Sequence, residues 1–354
     1  MHYFKKKLQF LFKFFVSKIF IIFYGKVKIS KVLPNGVKIK KVLIGKNSYK
    51  IFNIHNGVLY TDYVQNVAII KDNIIIDDIS YQQINGELKS AAFNIVLKKG
   101  TPAIKKKNKH CVFSLAQGAS GNNNYFHWLF DIIPKLIILE KESLLKNVDF
   151  FYGPEIKKWQ LDTLSIFNIN KEDIIDSNKY RHLECKNLIA TSHPWYKKGY
   201  ILEEAKYLPE WIIIELFNKF INFKKKFECN NRIYIDRRES KFNHCQIIND
   251  DELKKFLLEK NFSIYKIGEL SFFEQIYLFN NAKIIIGAHG AAFANLIFCK
   301  ENTKVIDIIP EDHPNTVDQT ISIYKKLDFR YIKTNKLNDN EKINGDIYLP
   351  ISKI

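Results

Sequence analysis

Short apolar runs alternate with helix-like segments along most of the chain, and this alternation limits the possible folds more than any other feature. From residue 232 onward the apolar runs are RIYID, FSIYKI, KIIIG and VIDII, and helical patterns separate them. Asn249 is placed to cap the first of these helices, and Ser271 with Glu274 forms a capping box at the next. Strands separated by helices of this length form parallel sheets with covered faces.

The same plan appears less regularly between residues 111 and 228. The apolar runs there are CVFSLA, VDFFYG and LECKNLIA, with helical patterns over about 124–140, 154–167 and 203–223. The sequence therefore predicts an α/β protein with two Rossmann-like domains, 111–228 and 229–354. Residues 27–110 have shorter alternating runs and predict a small β-rich portion, in which Asn56-Gly57 predicts a tight hairpin turn.

The positive charge of the chain is concentrated at its start. The net charge is +18, yet the first 50 residues hold 13 lysines and no acidic residue, while the remaining 304 residues hold 42 basic and 37 acidic ones. This nearly balanced body argues against a nucleic-acid-binding groove, which needs cations spread over a folded face. The five cysteines include no CxxC pair, so no disulfide framework or thiolate zinc site is indicated and a reducing cytoplasm fits best.

Residues 1–26 predict a basic amphipathic helix. The longest stretch without charge, Ile19 to Gly25, is too short to span a membrane. On a helix, Lys6, Gln9, Lys13 and Ser17 form one polar stripe among Phe and Ile residues. This pattern favours a helix that lies in the interface of an anionic membrane and binds it through residues 1–30. The alternative is a helix that docks on the core of the protein itself.

The strongest chemical signal is KIIIGAHGAAFANLIF, residues 283–298. A buried strand ends at Gly287, Gly290 allows a close backbone turn, and a helix is predicted from about Ala291, so its free N–H groups would face a ligand. Such a turn binds phosphate, and His289 could add a hydrogen bond or a charge. The alternative is that the glycines only close a tight turn and His289 caps the helix.

A second signal is NNNYFHWLFDIIPKL, residues 122–136. His127 and Asp131 are four residues apart and therefore share a helix face, with Asn124 near the helix start. A histidine oriented by a carboxylate can serve as a general base. An N-cap and a structural His–Asp pair packed under Trp128 explain the pattern equally well.

A third signal is RIYIDRRES, residues 232–240. Here a strand ends in Arg237 and Arg238, which places two guanidinium groups at the carboxyl edge of the sheet, where open α/β folds bind ligands. Surface arginines are common, so this pattern alone does not distinguish a ligand site from an ordinary protein surface. Asp307, in VIDII, could accept hydrogen bonds from ribose hydroxyls or could be a turn residue.

Together the three segments resemble glycosyltransferase family 61, which includes bacterial capsular-polysaccharide enzymes. The resemblance covers about residues 110–312 in the right order. Its matched residues are Asn124, His127, Trp128, Asp131 and Pro134 in the first motif, Arg232, Arg237, Arg238 and Asn249 in the second, and Gln275, Gly287, His289, Gly290, Ala291 and Asn295 in the third. The chain departs from the family pattern at Cys245 and Gln246, where Arg is usual nearby, at Ala292, where Gly is usual, and at Asp307, where Glu is common. These departures leave the donor's base and sugar open.

The resemblance implies a GT-B fold, in which two Rossmann-like domains face each other across a cleft. It implies inverting, metal-independent transfer of a hexosyl or pentosyl group from a nucleotide-sugar to a glycan or lipid-linked glycan of a bacterial capsule, exopolysaccharide or lipopolysaccharide. No cofactor is expected. A catalytically inactive sugar- or nucleotide-binding assembly protein of the same fold is the alternative. With the basic N-terminus, the expected location is the cytoplasmic side of the inner membrane, as a peripheral protein.

From the residues and the resemblance together, each candidate site residue has an expected role. The catalytic pair is His127 and Asp131, and which of the two is the base stays open. Asn124 and Trp128 are expected on the acceptor side, and no metal ligand is expected. The expected donor-binding residues are Arg237, Arg238, Gly287, His289, Gly290, Ala291, Asn295 and Asp307.

Overall fold

A computed structural model describes residues 8, 11–12, 15–16, 23–61, 67–84, 87–116, 124–195, 199–200, 205–238, 245–314, 317–335 and 345–354. The structure is mixed α/β, with one large mixed sheet and one parallel sheet. Contacts divide the chain into two compact units. Unit 1 comprises 1–123, 134–156 and 170–201, and unit 2 comprises 124–133, 157–169 and 202–354. The domain boundaries and the GT-B arrangement expected from the sequence stay predictions.

Unit 1 is built on a sheet of nine strands. These are β2 (Lys28–Ile29), β3 (Val37–Ile44), β4 (Asn47–Thr61), β5 (Val67–Lys71), β6 (Ile74–Ile75), β10 (Lys106–Ser114), β11 (Phe150–Gly153), β12 (Ile174–Asp176) and β13 (His182–Thr191). The order is β12-β11-β10-β13-β4-β5-β6-β2, with β3 also paired to β4. Small strands complete the unit: β1 (Tyr24–Gly25) with β9 (Thr101–Pro102), and β7 (Gln82–Ile84) with β8 (Glu87–Lys89) and β14 (Gly199–Tyr200).

The segment 27–110 is rich in strands, and β4 pairs antiparallel with β13 and so joins the parallel strands β10–β13 in one sheet. The tight turn expected at Asn56-Gly57 is wrong. Strand β4 runs through both residues, and its pairing with β13 keeps one register on both sides of Asn56, whose φ is 50°. The hairpin turn lies instead at Gly45, between β3 and β4.

Gly57 has a packing role in this long strand. A Cβ atom there would lie 2.8 Å from Cβ of Leu188 on the neighbouring strand, which is too close for two carbon atoms. The glycine therefore lets β4 and β13 approach each other over the buried core of unit 1. This packing contact, and not a change of chain direction, explains Gly57.

Unit 2 contains a five-stranded parallel sheet in the order β16-β15-β17-β18-β19. Its strands are β15 (Arg232–Ile235), β16 (Ser263–Tyr265), β17 (Ile284–Ala288), β18 (Lys304–Pro310) and β19 (Asp328–Thr334). The expected runs RIYID, FSIYKI, KIIIG and VIDII are confirmed as β15 to β18, all parallel. The buried isoleucines of the two central strands form the core with Leu253 and Leu257.

The α-helices that the structure describes from residue 96 onward are short and mostly as expected. They are α1 (Val96–Lys99), α2 (Tyr125–His127), α3 (Ile133–Lys141), α4 (Lys158–Ser165), α5 (Glu210–Phe220), α6 (Asp250–Glu259), α7 (Phe272–Asn281) and α8 (Val317–Tyr324). The capping box of α7 is confirmed, because Ser271 Oγ accepts the Glu274 N–H and Oε2 of Glu274 accepts the Ser271 N–H. The expected helix AAFANLIF is a 3-10 helix, Ala291–Phe298.

Asn249 does not cap α6 through its side chain. Its amide instead donates to the carbonyl of Leu349 and accepts the Leu349 N–H, at 2.8 and 3.0 Å. An isolated bridge between Ile247 and Ile347 lies beside these bonds. The segment 345–354 is thereby fastened to the residues that precede α6.

Most of the predicted N-terminal helix lies outside the described residues. Of that segment, Leu8, Leu11, Phe12 and Phe15 have helical backbone and exposed side chains. Whether they belong to one amphipathic helix on a membrane stays a prediction. In the described part of the chain, no helix has the length and apolar character needed to cross a membrane.

Candidate active site

The carboxyl edge of the parallel sheet of unit 2 brings the second and third sequence motifs together. Strand β15 ends at Ile235, two residues before Arg237, and its neighbour β17 ends at Ala288, just before His289 and Gly290. Asp307 lies within the next strand, β18, opposite Gly287. Because these strands are parallel neighbours, side chains that are 70 residues apart in the sequence meet at one edge.

Arg237 packs directly on Gly290. A Cβ atom on Gly290 would lie 2.5 Å from the central guanidinium carbon of Arg237, so any larger residue would displace the arginine. The backbone of Gly290 is extended, with φ of 168° and ψ of 177°, a conformation open to any residue. The glycine is therefore required for the close approach of the guanidinium group and not for backbone freedom.

The guanidinium group of Arg237 is largely buried, and burial lowers its pKa from the ordinary value. Its Nη1 atom is buried and has no hydrogen-bond partner among the described residues. A buried N–H donor without an acceptor is costly, and an anion supplies such an acceptor. An anion beside the glycine turn would supply the acceptor that Nη1 of Arg237 lacks among the described residues.

His289 is held between two buried carboxylates. Its Nδ1 lies 3.3 Å from Oδ2 of Asp307 and 3.1 Å from Oδ2 of Asp318 on α8. The imidazole also packs against His313, with 4.6 Å between ring centroids. Asp307 therefore points toward His289, and its expected contact with ribose stays a prediction.

This environment changes the charge of His289. Burial alone would lower the pKa of the imidazole, but Asp307 and Asp318 raise it to about 10. Because the folded pKa exceeds the ordinary value of 6.5, protonation of His289 contributes stability that is fully present below pH 6.5 and is lost as the pH rises through about 10. Burial raises the pKa of Asp307 to about 6, while His289 acts in the opposite direction.

Arg238, although adjacent to Arg237, belongs to a different cluster. Its side chain is half exposed and contacts Asp250 at 3.1 Å and Asp251 at 2.5 Å. Lys254 lies under it and joins Asp250 to Asp236, at 2.7 and 2.5 Å. These carboxylates already hold the guanidinium of Arg238, so of the two arginines Arg237 is the better placed to meet an anion.

The His127–Asp131 pair forms as the spacing predicted. Nδ1 of His127 lies 2.8 Å from Oδ2 of Asp131, whose side chain is almost fully buried. An ionised Asp131 can only accept, in which case Nδ1 of His127 donates and Nε2 is left for another partner. Asn124 caps the helix, because its Oδ1 accepts the His127 N–H at 3.2 Å.

The helix that carries this pair is irregular. Residues Trp128–Ile132 form a π-helix between α2 and α3. Pro134 lacks a backbone N–H, which removes an ordinary helical hydrogen bond just after this segment. Such π segments are frequent at functional sites. Trp128 is fully buried and donates its Nε1–H to Thr163 at 2.8 Å, so its role here is to anchor the helix.

Unit 2 also joins the first motif to the third. The Tyr125 hydroxyl donates to Oδ1 of Asn295 at 2.6 Å, and Nδ2 of Asn295 donates to Gln275 at 3.0 Å. Gln275 in turn donates to the carbonyls of Ile267 and Leu270. Asn295 is completely buried, and these bonds explain its identity structurally. A direct contact of Asn295 with the donor stays a prediction.

One group of side chains in the described residues has the atoms and spacing to hold a metal ion. It consists of His289, Asp307 and Asp318, with candidate ligand atoms within 4.8 Å of one another. The ion pairs between the imidazole and the two carboxylates account for this arrangement by themselves. We therefore assign these residues no metal.

The opposite, amino edge of the same sheet has a cavity of about 470 Å³ with an apolar floor. Its charged lining comes from strand starts and the end of α6: Arg232, Lys260, Lys304, Asp328 and Arg330. We call it the amino-edge cavity. Arg232 donates to the Lys260 carbonyl there at 2.7 Å.

Several residues of the site were not expected from the sequence. Asp318 and His313 follow β18 and have no motif to mark them, and Tyr125 precedes the His–Asp pair without a spacing signal. The contact of Asp318 with His289 arises from its position on the short helix α8. No single-sequence pattern reports that contact.

A family model described as Glycosyltransferase 61 matches residues 125–306. The match includes the His–Asp pair, Arg237 and the whole GAHG segment. Among curated proteins, none matches the chain.

Proposed function

Because the chain belongs to glycosyltransferase family 61, we propose that it transfers a sugar from a nucleotide-sugar donor to a glycan acceptor with inversion at the anomeric carbon. The proposed acceptors are precursors of a bacterial capsule, exopolysaccharide or lipopolysaccharide. The transferred group is a hexosyl or pentosyl residue. The observation that carries the proposal is the carboxyl edge of the unit 2 sheet, where the buried Nη1 of Arg237 packs on Gly290 beside His289.

The donor's diphosphate would bind at this edge. Arg237 would supply the buried Nη1–H, and His289 would supply a positive charge retained at neutral pH. Two fixed cations stabilise negative charge on a leaving diphosphate, which is the task a metal ion performs in other transferases. The proposed reaction therefore needs no metal. Gly287 and Ala291 would contribute close backbone approach on either side of His289.

His127 is the proposed general base. Asp131 orients the imidazole through Nδ1, which leaves Nε2 to accept the proton of the acceptor hydroxyl. As that proton moves to His127, the hydroxyl oxygen forms a bond to the anomeric carbon. The bond from this carbon to the phosphate oxygen breaks, and the diphosphate leaves with the electron pair. Asp131 stabilises the imidazolium so formed.

The proposed location of the protein in the cell is based on its N-terminal segment. Residues 1–30 combine lysines with exposed apolar side chains such as Phe12 and Phe15. Binding to an anionic membrane would bring the enzyme to lipid-linked acceptors, which are confined to that surface. We therefore propose a peripheral protein on the cytoplasmic face of the inner membrane.

The proposal is tested by replacing each histidine separately. We expect His127→Ala to abolish transfer and leave donor binding within about twofold of wild type, and His289→Ala to weaken donor binding. Purified protein would be screened with nucleotide-sugars by thermal shift, then assayed for transfer and hydrolysis. Wild-type turnover in His127→Ala would exclude it as the base. Donor binding without any turnover in the wild type would favour the inactive assembly protein.

A further inference from the structure

Asp318 is a buried carboxylate that the proposed reaction does not yet use. It lies in the first turn of α8 with a side chain only 5% exposed, and it makes the shorter of the two carboxylate contacts to His289 Nδ1. Asp307 makes the other contact from β18. The imidazole is thus held from two separate elements, a strand and a helix.

Further groups face this cluster from the remaining elements around it. His313 packs on the imidazole from the segment after β18. Tyr331 lies near both carboxylates from β19, and burial together with Asp318 and Asp307 holds its pKa above the usual range, so it stays neutral. Arg237, at the end of β15, interacts with Asp307. If Arg237, His289 and both carboxylates are ionised, the four charges cancel.

We infer that Asp318 is a positioning residue which, together with Asp307, holds His289 as a fixed imidazolium for the donor's diphosphate. The inference rests on the proposed function, since it assigns a task within the same donor site. The substrate class it implies is a nucleoside diphosphate derivative, recognised through its diphosphate.

Two carboxylates orient the ring more firmly than one. Without Asp318, the imidazole would lose the shorter of these two contacts and keep the longer one, 3.3 Å, to Asp307. Arg237 also attracts the Asp307 carboxylate, so that partner is shared. Asp318→Asn would therefore leave His289 less firmly oriented and would lower its pKa. A neutral imidazole makes a hydrogen bond to phosphate that is about half as strong as a charge-assisted one.

The first experiment measures the charge of His289 directly. Protein labelled with isotopic histidine would be titrated by NMR between pH 6 and 10, with His289→Gln used to assign the signal. We expect His289 in the wild type to stay protonated above pH 8, and in Asp318→Asn to lose its proton at a lower pH. A wild-type imidazole that is neutral at pH 7 would overturn the inference without any variant.

The second experiment measures binding of inorganic pyrophosphate by calorimetry at pH 7 and pH 9. Relative to the wild type, we expect Asp318→Asn to bind pyrophosphate roughly tenfold more weakly at pH 9, with a smaller loss at pH 7. Asp328→Asn, an exposed aspartate at the start of β19, is the matched control and should bind as the wild type. Circular dichroism and thermal melting would verify that each variant is folded.

Three outcomes would contradict the inference. The first is an unchanged His289 titration in folded Asp318→Asn. The second is a pyrophosphate affinity of that variant equal to that of the wild type at both pH values. The third is a stoichiometric divalent cation that the wild type binds and Asp318→Asn does not. The last outcome would make the cluster a metal site. If pyrophosphate fails to bind the wild type, the proposed donor site is wrong, while the NMR titration still decides the role of Asp318.

Discussion

The two edges of the parallel sheet in unit 2 both carry basic side chains, yet they differ in how these charges are held. At the carboxyl edge, Arg237 and His289 are largely buried against a glycine and two carboxylates. At the amino edge, Lys304 and Arg330 are exposed around an open cavity. A buried charge needs a fixed partner because it has lost its water, whereas an exposed one is solvated. The count of basic residues therefore says little, and their burial is what distinguishes the two edges.

The largest effect is expected from Arg237→Ala. This change removes the buried donor at the carboxyl edge, and a charge-assisted hydrogen bond contributes about 1.5–3 kcal/mol. We expect donor affinity to fall about 10- to 100-fold, as measured by calorimetry with the best-binding nucleotide. Unchanged affinity would show that the buried guanidinium serves packing only, and the contrast between the edges would lose its functional meaning.

A smaller effect on binding and a clear effect on stability are expected from Gly290→Ala. The added methyl group would overlap Arg237, so the arginine must move, and overpacking of this kind costs about 1–3 kcal/mol. Gly268→Ala is the matched control, since a Cβ there meets no atom within 4 Å. Urea unfolding and donor binding would be measured for both. Equal behaviour of the two variants would show that Arg237 relaxes away from the turn without consequence.

The smallest effects are expected at the amino edge. Lys304→Ala and Arg330→Ala remove exposed charges, and such changes usually alter stability by less than about 0.5 kcal/mol. We expect donor affinity to stay within about twofold of wild type in the same assay. A tenfold loss in either variant would place a ligand at the amino-edge cavity and reverse the comparison.

The parallel sheet of unit 2 could be predicted from the sequence because each of its strands β15 to β18 is a run of apolar residues bounded by helix signals. The mixed sheet of unit 1 could not. Its assembly depends on the pairing of β4 with β13, between residues more than 100 positions apart, and no local pattern encodes that partner. The Asn-Gly signal was misleading there, since Asn at positive φ and Gly at a close strand contact occur within β4 as well as in turns.

The candidate site was predictable to a similar, partial extent. The spacing alone predicted that His127 lies next to Asp131, because four residues make about one helical turn. It could not separate Arg237 from Arg238, whose side chains enter different clusters. Nor could it reveal Asp318, whose role arises only from the packing of α8 against the sheet edge. Sequence patterns thus identified the motifs, whereas burial and long-range contacts distinguish their members.

The bonds between Asn249 and Leu349 have a consequence for the order in which the molecule is assembled. They close a loop of 100 residues, and residues 345–354 are synthesised after every strand of the parallel sheet. Closing so long a loop is entropically costly until the elements within it are folded. The segment around Ile247 should therefore be fixed only after the strands of the parallel sheet within this loop have folded.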